Sequence, residues 1–506
     1  MTACCFDLET LGRVKVHKLL APISNMRYVI VGNGIIALTS AFRLLKKLSP
    51  GDTITIIGPQ ARVGSATLAA AAMLNSFAEV DAYSLRSEAD IFHFELSHLA
   101  TQMWPEFERE LIDAAGEKLP HACAKCQVHS GGCFEKGTYI VNNTASDELD
   151  DRNFDAIVKA CTDFNEQFEF VDPANIPNYA PATDCRASRA ILIHNEGWLN
   201  PRIVIEKLDA ILTNHEQVIV KNGQVERLGK VHGEIASVLL EDGEEIAGDV
   251  FLIANGASAG NLIKRSELGI EHQPLFYGVG VSLEIKAPGY PHKKCIRTPN
   301  RGGACGIYSV PLFQSHDKIS DHILIGASNF ISPEPFFNGR VASVAHLMES
   351  AIREINANFF DAQLVRVNVG WRPTTQDTYP MLGGTSIKNL VIATGTKRDG
   401  FHLSPVISKN IAAVMCGEVV DERLGMFAPE RKPIRDISRE DAIAMGVESL
   451  ISQNYQHGYR PSGIRMDRQY RDYIRRDLEE LHDKVGAADW GIHPELINMY
   501  RRGFAK

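Results

Sequence analysis

"YVIVGNGIIALTSAFRLL" (residues 28–45) joins a β-branched run to two glycines and then to an amphipathic segment. Residues 27–31 read as a short buried strand, and residues 35–48 place Leu38, Ala41, Phe42, Leu45 and Leu48 on one helical face. "SPGD" (49–52) breaks that helix, and "TITII" (53–57) reads as a second strand. In a strand–turn–helix–strand unit the Gly32-x-Gly34 turn presents backbone N–H groups and a helix dipole to a pyrophosphate. Gly32 permits the tight turn, Gly34 lets a phosphate approach the backbone, and Ile35 and Ile36 open the helix. Ala37 replaces the third glycine at the helix–sheet contact. The unit is therefore read as dinucleotide-binding. One expected part is absent: the second strand ends "IIGPQ", with Gly58 and Pro59 where an acidic side chain would hold the adenosine ribose.

Working outward, "KNGQVERL" (221–228) and "VHGEIASVLLEDGEEIAGDVFLIANGASAG" (231–260) read as a β-meander followed by a buried strand that ends in small residues. "NLVIATGTKRDGFHLSPVISKNIAAVMCGE" (389–418) repeats the pattern, with Ser404 as the helix N-cap and Pro405 at the first helical position. After Pro429 the composition turns rich in Arg, Asp and Glu. There Tyr470, Tyr473, Ile474, Leu478, Leu481 and Val485 form an apolar stripe at helical spacing, which predicts docking against the body of its own subunit or a neighbour's.

The 506 residues suffice for two or three domains. A net charge of −9 argues against binding nucleic acid or anionic membranes through overall charge, though "YRPSGIRMDRQYRDYIRR" (459–476) is locally basic. No segment approaches the ~20 apolar residues of a membrane span. The first 25 residues lack a secretory pattern, so a cytoplasmic location is expected. Cys123, Cys126 and Cys133, with His121 or His129, have the ligand types of a zinc site, but no second Cys-x-x-Cys pair accompanies them. Reduced thiols and no metal are expected.

Taken together, the ordered motifs resemble the flavoprotein family of D-amino-acid oxidase, glycine oxidase and sarcosine oxidase, over roughly residues 27–420. The fingerprint at 28–45 is joined by "GSATLAAAAML" (64–74), similar to the small-residue loop beside the flavin. "GGCFEKGTYIV" (131–141) and "GWLNPRIVIEKL" (197–208) resemble the middle segments, and "IANGASAG" (253–260) the second FAD contact. "GWRPTTQDTYPMLGG" (370–384) with "ATGTKRDGFHLSP" (393–405) resembles the carboxy-terminal signature. The resemblance implies an α/β, Rossmann-like FAD-binding domain (26–120, 195–262 and 366–420). An antiparallel-sheet substrate domain (121–194 and 263–365) would be inserted discontinuously, with a leader at 1–25 and a helical C-terminal extension at 428–506.

By the same resemblance, FAD contacts fall on Gly32, Gly34, Ile35, Ile36, Ser65, Ala66, Ala71, Ala72, Met73, Val225, Asn255, Gly256, Gly395, Arg398, Asp399, Gly400, Phe401, His402 and Leu403. Arg372 matches the carboxylate-binding arginine, Arg398 a second arginine near the substrate, and Tyr308 in "GIYSVPL" a tyrosine lining the pocket. A bidentate guanidinium suits a planar carboxylate. Neither 64–74 nor 368–384 contains cysteine, and 64–74 also lacks histidine, so FAD is expected to be dissociable. Lys286, Lys293 and Lys294 lie in the half of the chain where some oxidases carry an oxygen-activating lysine, but solvated surface is their default reading.

The implied reaction is oxidation of the C–N bond of an amino acid or other carboxylated amine, by hydride transfer to flavin N5. It gives an imine, with O2 as acceptor and H2O2 as product. The leader and tail point to a specialised, biosynthetic substrate, and the tail to a homo-oligomer. A dehydrogenase with another electron acceptor, a tRNA-type modifying flavoprotein and a flavoprotein without turnover stay open as alternatives.

Overall fold

The computed structural model describes residues 25–116, 134–301, 306–312, 321–456, 458–459 and 461–506. The cysteine cluster at 123–133 and the leader before residue 25 lie outside them.

The opening motif folds as read: strand Arg27–Val31, helix Ile35–Leu45, strand Thr53–Gly58. These strands sit in a six-stranded sheet ordered Met381–Gly384, Leu390–Thr394, Val250–Ile253, Arg27–Val31, Thr53–Gly58, Val218–Asn222. All its pairings are parallel except that of Met381–Gly384 with Leu390–Thr394. Near-continuous apolar strands such as "YVIV" and "FLI" are what a sheet covered on both faces requires. On one face, Ile30, Ile54 and Ile56 pack against the helices Ile35–Leu45, Glu88–Ala115, Pro201–Thr213 and Ser404–Met415. On the other, Val29, Val31 and Phe251 meet Leu228, Val238 and Leu240 of a three-stranded sheet formed by the predicted meander.

A ten-stranded sheet, antiparallel apart from the pairing of Cys295–Arg297 with Glu135–Asn143, closes over the carboxyl ends of the parallel strands. Its long strands are Leu275–Lys286 and Gln363–Thr375, paired along their whole length, and Ala187–Trp198. The limits at residues 195 and 366 drawn from the sequence cut through two of these strands, each of which pairs wholly within the ten-stranded sheet.

The C-terminal segment folds back onto its own chain. Helices Arg439–Gln456 and Ile464–Val485 bury Ile443, Val447, Ile451, Ile474, Leu478 and Leu481 in one cluster with Phe276 of the ten-stranded sheet. The predicted stripe is covered except at Tyr473, which stays 61% exposed. Arg431 anchors the approach to these helices, donating at 2.9 Å to both oxygens of Asp377. Among the described residues, no helix is long and apolar enough to cross a membrane.

Candidate active site

Between the two large sheets lies a cavity of about 560 Å³. The glycine turn shapes one end. Gly32 has φ +124°, and a Cβ there would sit 2.4 Å from the Ala254 carbonyl oxygen, so only glycine brings these two strand ends together. The helix Ile35–Leu45 starts at Gly34 with no side-chain cap and no acid in its first turn, which suits an anionic pyrophosphate. The Asn255 Oδ1, on the cavity wall, is buried with no hydrogen-bond partner among the described residues. An unmet acceptor on a wall of closely approaching backbone fits a cofactor rich in hydroxyl and amide donors.

The missing acid at Gly58 has a steric explanation. A Cβ on Gly58 would lie 2.5 Å from the Asn33 Cγ, so the Asn33 side chain occupies that space. Its Nδ2 donates to the Pro59 carbonyl at 2.9 Å. Arg62 lies beside it, donating to the Asn33 carbonyl at 3.0 Å and pairing with Asp209 at 2.6 Å. Asn33 and Arg62 line the cavity, and neither was named from the sequence.

Of the residues singled out there, Gly32, Gly34, Ile35, Ile36, Ser65, Ala66, Val225, Asn255, Gly256, Tyr308, Arg372, Arg398, Gly400 and Phe401 line this cavity. Ala71, Ala72, Met73, Gly395, Asp399, His402 and Leu403 do not. Ala71 and Met73 instead pack behind Tyr308 in an apolar cluster. Phe401 stacks on Trp104 at 5.2 Å, and the next residue turns inward. His402 is buried against Thr101, 2.7 Å from its Nε2, and burial pushes it down to about 3, so it is neutral. Burial raises Asp399, whose carboxylate faces His93 at 3.6 Å. Leu403, rather than Ser404, is the N-cap of the helix Ser404–Met415. The preceding turn already carries helical backbone bonds, which places Ser404 one position inside, with its Oγ unpartnered among the described residues.

Arg372 reaches the cavity because two facing residues are small. In the pairing of the two long strands it lies opposite Gly278, and a Cβ on Gly280 would sit 2.5 Å from its Cζ. Nη1 donates to the Ser328 carbonyl at 3.0 Å and to the Asn329 Oδ1 at 3.1 Å. No carboxylate of the described residues is at ion-pair distance from it. Such a guanidinium, oriented by neutral acceptors, is fit to receive an external carboxylate.

Arg398 and its neighbour Lys397, which sequence reasoning passed over, line the same wall. Both contact Glu495, from the C-terminal segment, at 3.6 and 2.8 Å. Burial alone would raise the Glu495 carboxyl, but Lys397, Arg398 and His493 outweigh it and hold it at about 2. Tyr277, Trp371 and Phe337 supply aromatic wall, with Trp371 5.8 Å from Tyr277 and 5.0 Å from Phe337 in edge-to-face contacts. The cavity-lining residues include neither cysteine nor histidine, so nothing on this wall is placed for the usual covalent attachments.

Comparison with known proteins agrees with this geometry. The family model "FAD dependent oxidoreductase" matches residues 27–414. Among curated proteins, the bifunctional protein ThiO/ThiG of Synechocystis sp. is 25% identical over 248 residues, 46% of this chain and 34% of that protein. The D-amino acid dehydrogenase of Vibrio atlanticus is 22% identical over 445 residues, 78% of this chain and 97% of that protein. The chain spans about a third of the length of the bifunctional relatives it matches. Among solved structures, glycine oxidase from Geobacillus kaustophilus has a TM-score of 0.64 at 20% identity, over 80% of this chain and 99% of that one. Iminodiacetate oxidase from Chelativorans sp. has a TM-score of 0.62 at 20% identity, over 80% of this chain and 100% of that one. The chain belongs to the FAD dependent oxidoreductase family, and its fold and lining suit a non-covalently held FAD.

Proposed function

We propose that this member of the family oxidises the C–N bond of an amino acid or another amine that carries a carboxylate. The observation that carries the reading is Arg372, a guanidinium on the cofactor cavity with neutral partners only, Ser328 and Asn329, among the described residues. Bound FAD supplies the hydride acceptor for this oxidation, and O2 takes the electrons on as H2O2. The chain itself needs no nucleophile. Arg372 clamps the substrate carboxylate and so fixes which carbon lies beside the cofactor. Tyr277 and Trp371 supply apolar surface beside the reacting carbon. Arg398 stands on the same cavity wall as Arg372. A specialised amine from the biosynthesis of a small natural product is the substrate class we favour, given the long C-terminal segment beyond the family match.

A screen of amino acids and N-methyl amino acids for peroxide formation in air tests the reading. Arg372→Lys is expected to cut kcat/KM for the best substrate about tenfold or more with FAD content unchanged, since lysine keeps charge but loses the planar fork. Wild-type kinetics in that variant would remove Arg372 from the site. A second reading, a dehydrogenase with a different electron acceptor, has in its favour the likeness to the Vibrio atlanticus D-amino acid dehydrogenase over nearly all of that protein. Turnover with an artificial dye but without peroxide would select it.

A further inference from the structure

Glu495 lies beyond the residues that match the family, yet it reaches the wall of the cavity. It sits on a short turn, Pro494–Leu496, held down by Leu496 and Ile497 in the cluster that packs the tail onto Phe276. One carboxylate oxygen is 2.8 Å from the Lys397 Nζ and 3.6 Å from the Arg398 Nη2. The other accepts a hydrogen bond from the Asn329 Nδ2 at 2.8 Å. Asn329 in turn accepts from Arg372 at 3.1 Å. The backbone N–H of Lys397 donates to the Pro373 carbonyl at 2.7 Å, which ties the Lys397–Arg398 loop beside the strand that carries Arg372. The Glu495 side chain is 4% exposed, so its charge acts where solvent screening is weak.

Three cations thus meet on one wall, and an internal acid faces two of them. Arg398 also feels Glu79 and Asp399. Arg372 is the member of the trio with no acid at ion-pair distance among the described residues. We propose that Glu495 acts as a built-in carboxylate that occupies Lys397 and Arg398, leaving the site matched to substrates with a single carboxylate at Arg372. This rests on the carboxylated-amine reading and names the substrate class within it. A second carboxylate directed at Lys397 and Arg398 meets Glu495 already there and is repelled by it. Glu495 also positions Arg372 through Asn329.

The test uses the FAD-loaded protein and two unreactive probes, propionate and succinate, with binding followed by the flavin absorbance change and by melting. Glu495→Gln keeps the shape and removes the charge. It is expected to raise affinity for succinate relative to propionate about tenfold to a hundredfold, the effect of one unit charge a few ångströms away at intermediate dielectric. Adding Lys397→Gln to that variant restores the balance of charge and should return the ratio toward wild type, which a merely structural role would not do. An unchanged ratio in folded Glu495→Gln, or a raised ratio that persists in the double variant, overturns the proposal. Should Glu495→Gln fail to fold, Lys397→Gln alone is expected to disfavour succinate further, and an unchanged ratio there overturns it equally. Propionate binding that Arg372→Lys weakens, with a ratio that Glu495→Gln does not move, defeats this proposal alone. Propionate binding that is absent, or indifferent to Arg372→Lys, defeats the carboxylated-amine reading and this proposal with it.

Discussion

Gly280→Ala separates the substrate clamp from the fold. Gly280 lies in the middle of the strand Leu275–Lys286, opposite Gly370. A Cβ there would stand 2.5 Å from the Arg372 Cζ and Nη2 and 2.6 Å from its Nη1. What it meets is the far end of a flexible side chain, so the guanidinium moves and the strand does not. Alanine at a compatible strand position restricts the unfolded chain and adds ~0.4–1 kcal/mol of stability, so the melting temperature should hold or rise slightly. The displaced guanidinium loses its alignment on the substrate carboxylate. A charge-assisted hydrogen bond of ~1.5–3 kcal/mol is at stake, roughly 10- to 150-fold in kcat/KM. Most of the loss should appear in KM, since the carboxylate is held in ground and transition states alike. The assay is steady-state oxidation of the best amine, with flavin content and melting measured on the same preparation. In an Arg372→Ala background the added alanine should cost no more than ~0.5 kcal/mol, because the group it displaces is gone. A folded, FAD-loaded Gly280→Ala enzyme with wild-type kcat/KM would refute the reasoning, as would an undiminished loss in the double variant.

The purified protein should be yellow and release free FAD on heating or acidification; flavin that stays with the denatured chain would show a covalent link. Truncation after Pro429 uncovers Phe276 and removes Glu495, so both the melting temperature and substrate capture should fall; an unaltered melting curve would show that the tail contributes no packing. Glu495 is held at about 2, below the ordinary glutamate value of 4.5, so its ionised form favours the folded state. Its contribution, on the order of 3 kcal/mol, is complete above pH 4.5 and is lost as the pH falls toward 2. The stability difference between wild type and Glu495→Gln, followed by denaturant unfolding, should shrink over that acid range, and a difference constant with pH would contradict the assignment.

The strand–glycine–helix unit at 27–58 was legible because everything that specifies it is local. The β-branched run, the glycine turn and the 3.6-residue apolar spacing act within a dozen or so residues. The amphipathic stripe of the tail was legible for the same reason, and its need for cover followed from its apolar face. The boundary of the helix after residue 403 was less so, because a turn that already carries helical bonds moves the cap by one residue. A partial signal for the clamp was present in "YGVGV" (277–281), where glycines on one face of a strand mark a close approach, here that of the Arg372 side chain.

What the sequence by itself determined, then, was the cofactor turn and the alternation of strands and helices around it, carried by short ordered motifs, while the resemblance of one such motif singled out Arg372 as the candidate clamp. Only the tertiary structure decided what surrounds them. Asn33 fills the space beside Gly58, and Ala71 and Met73 back Tyr308 instead of facing the cavity. Arg372 is linked through Asn329, 43 residues away, to Glu495, a further 166 residues along the chain. Periodicity and turn chemistry carry no information at such separations. These contacts exist because pairing in the ten-stranded sheet and burial of the tail's apolar face bring distant segments to one wall, and their charges then settle against one another there.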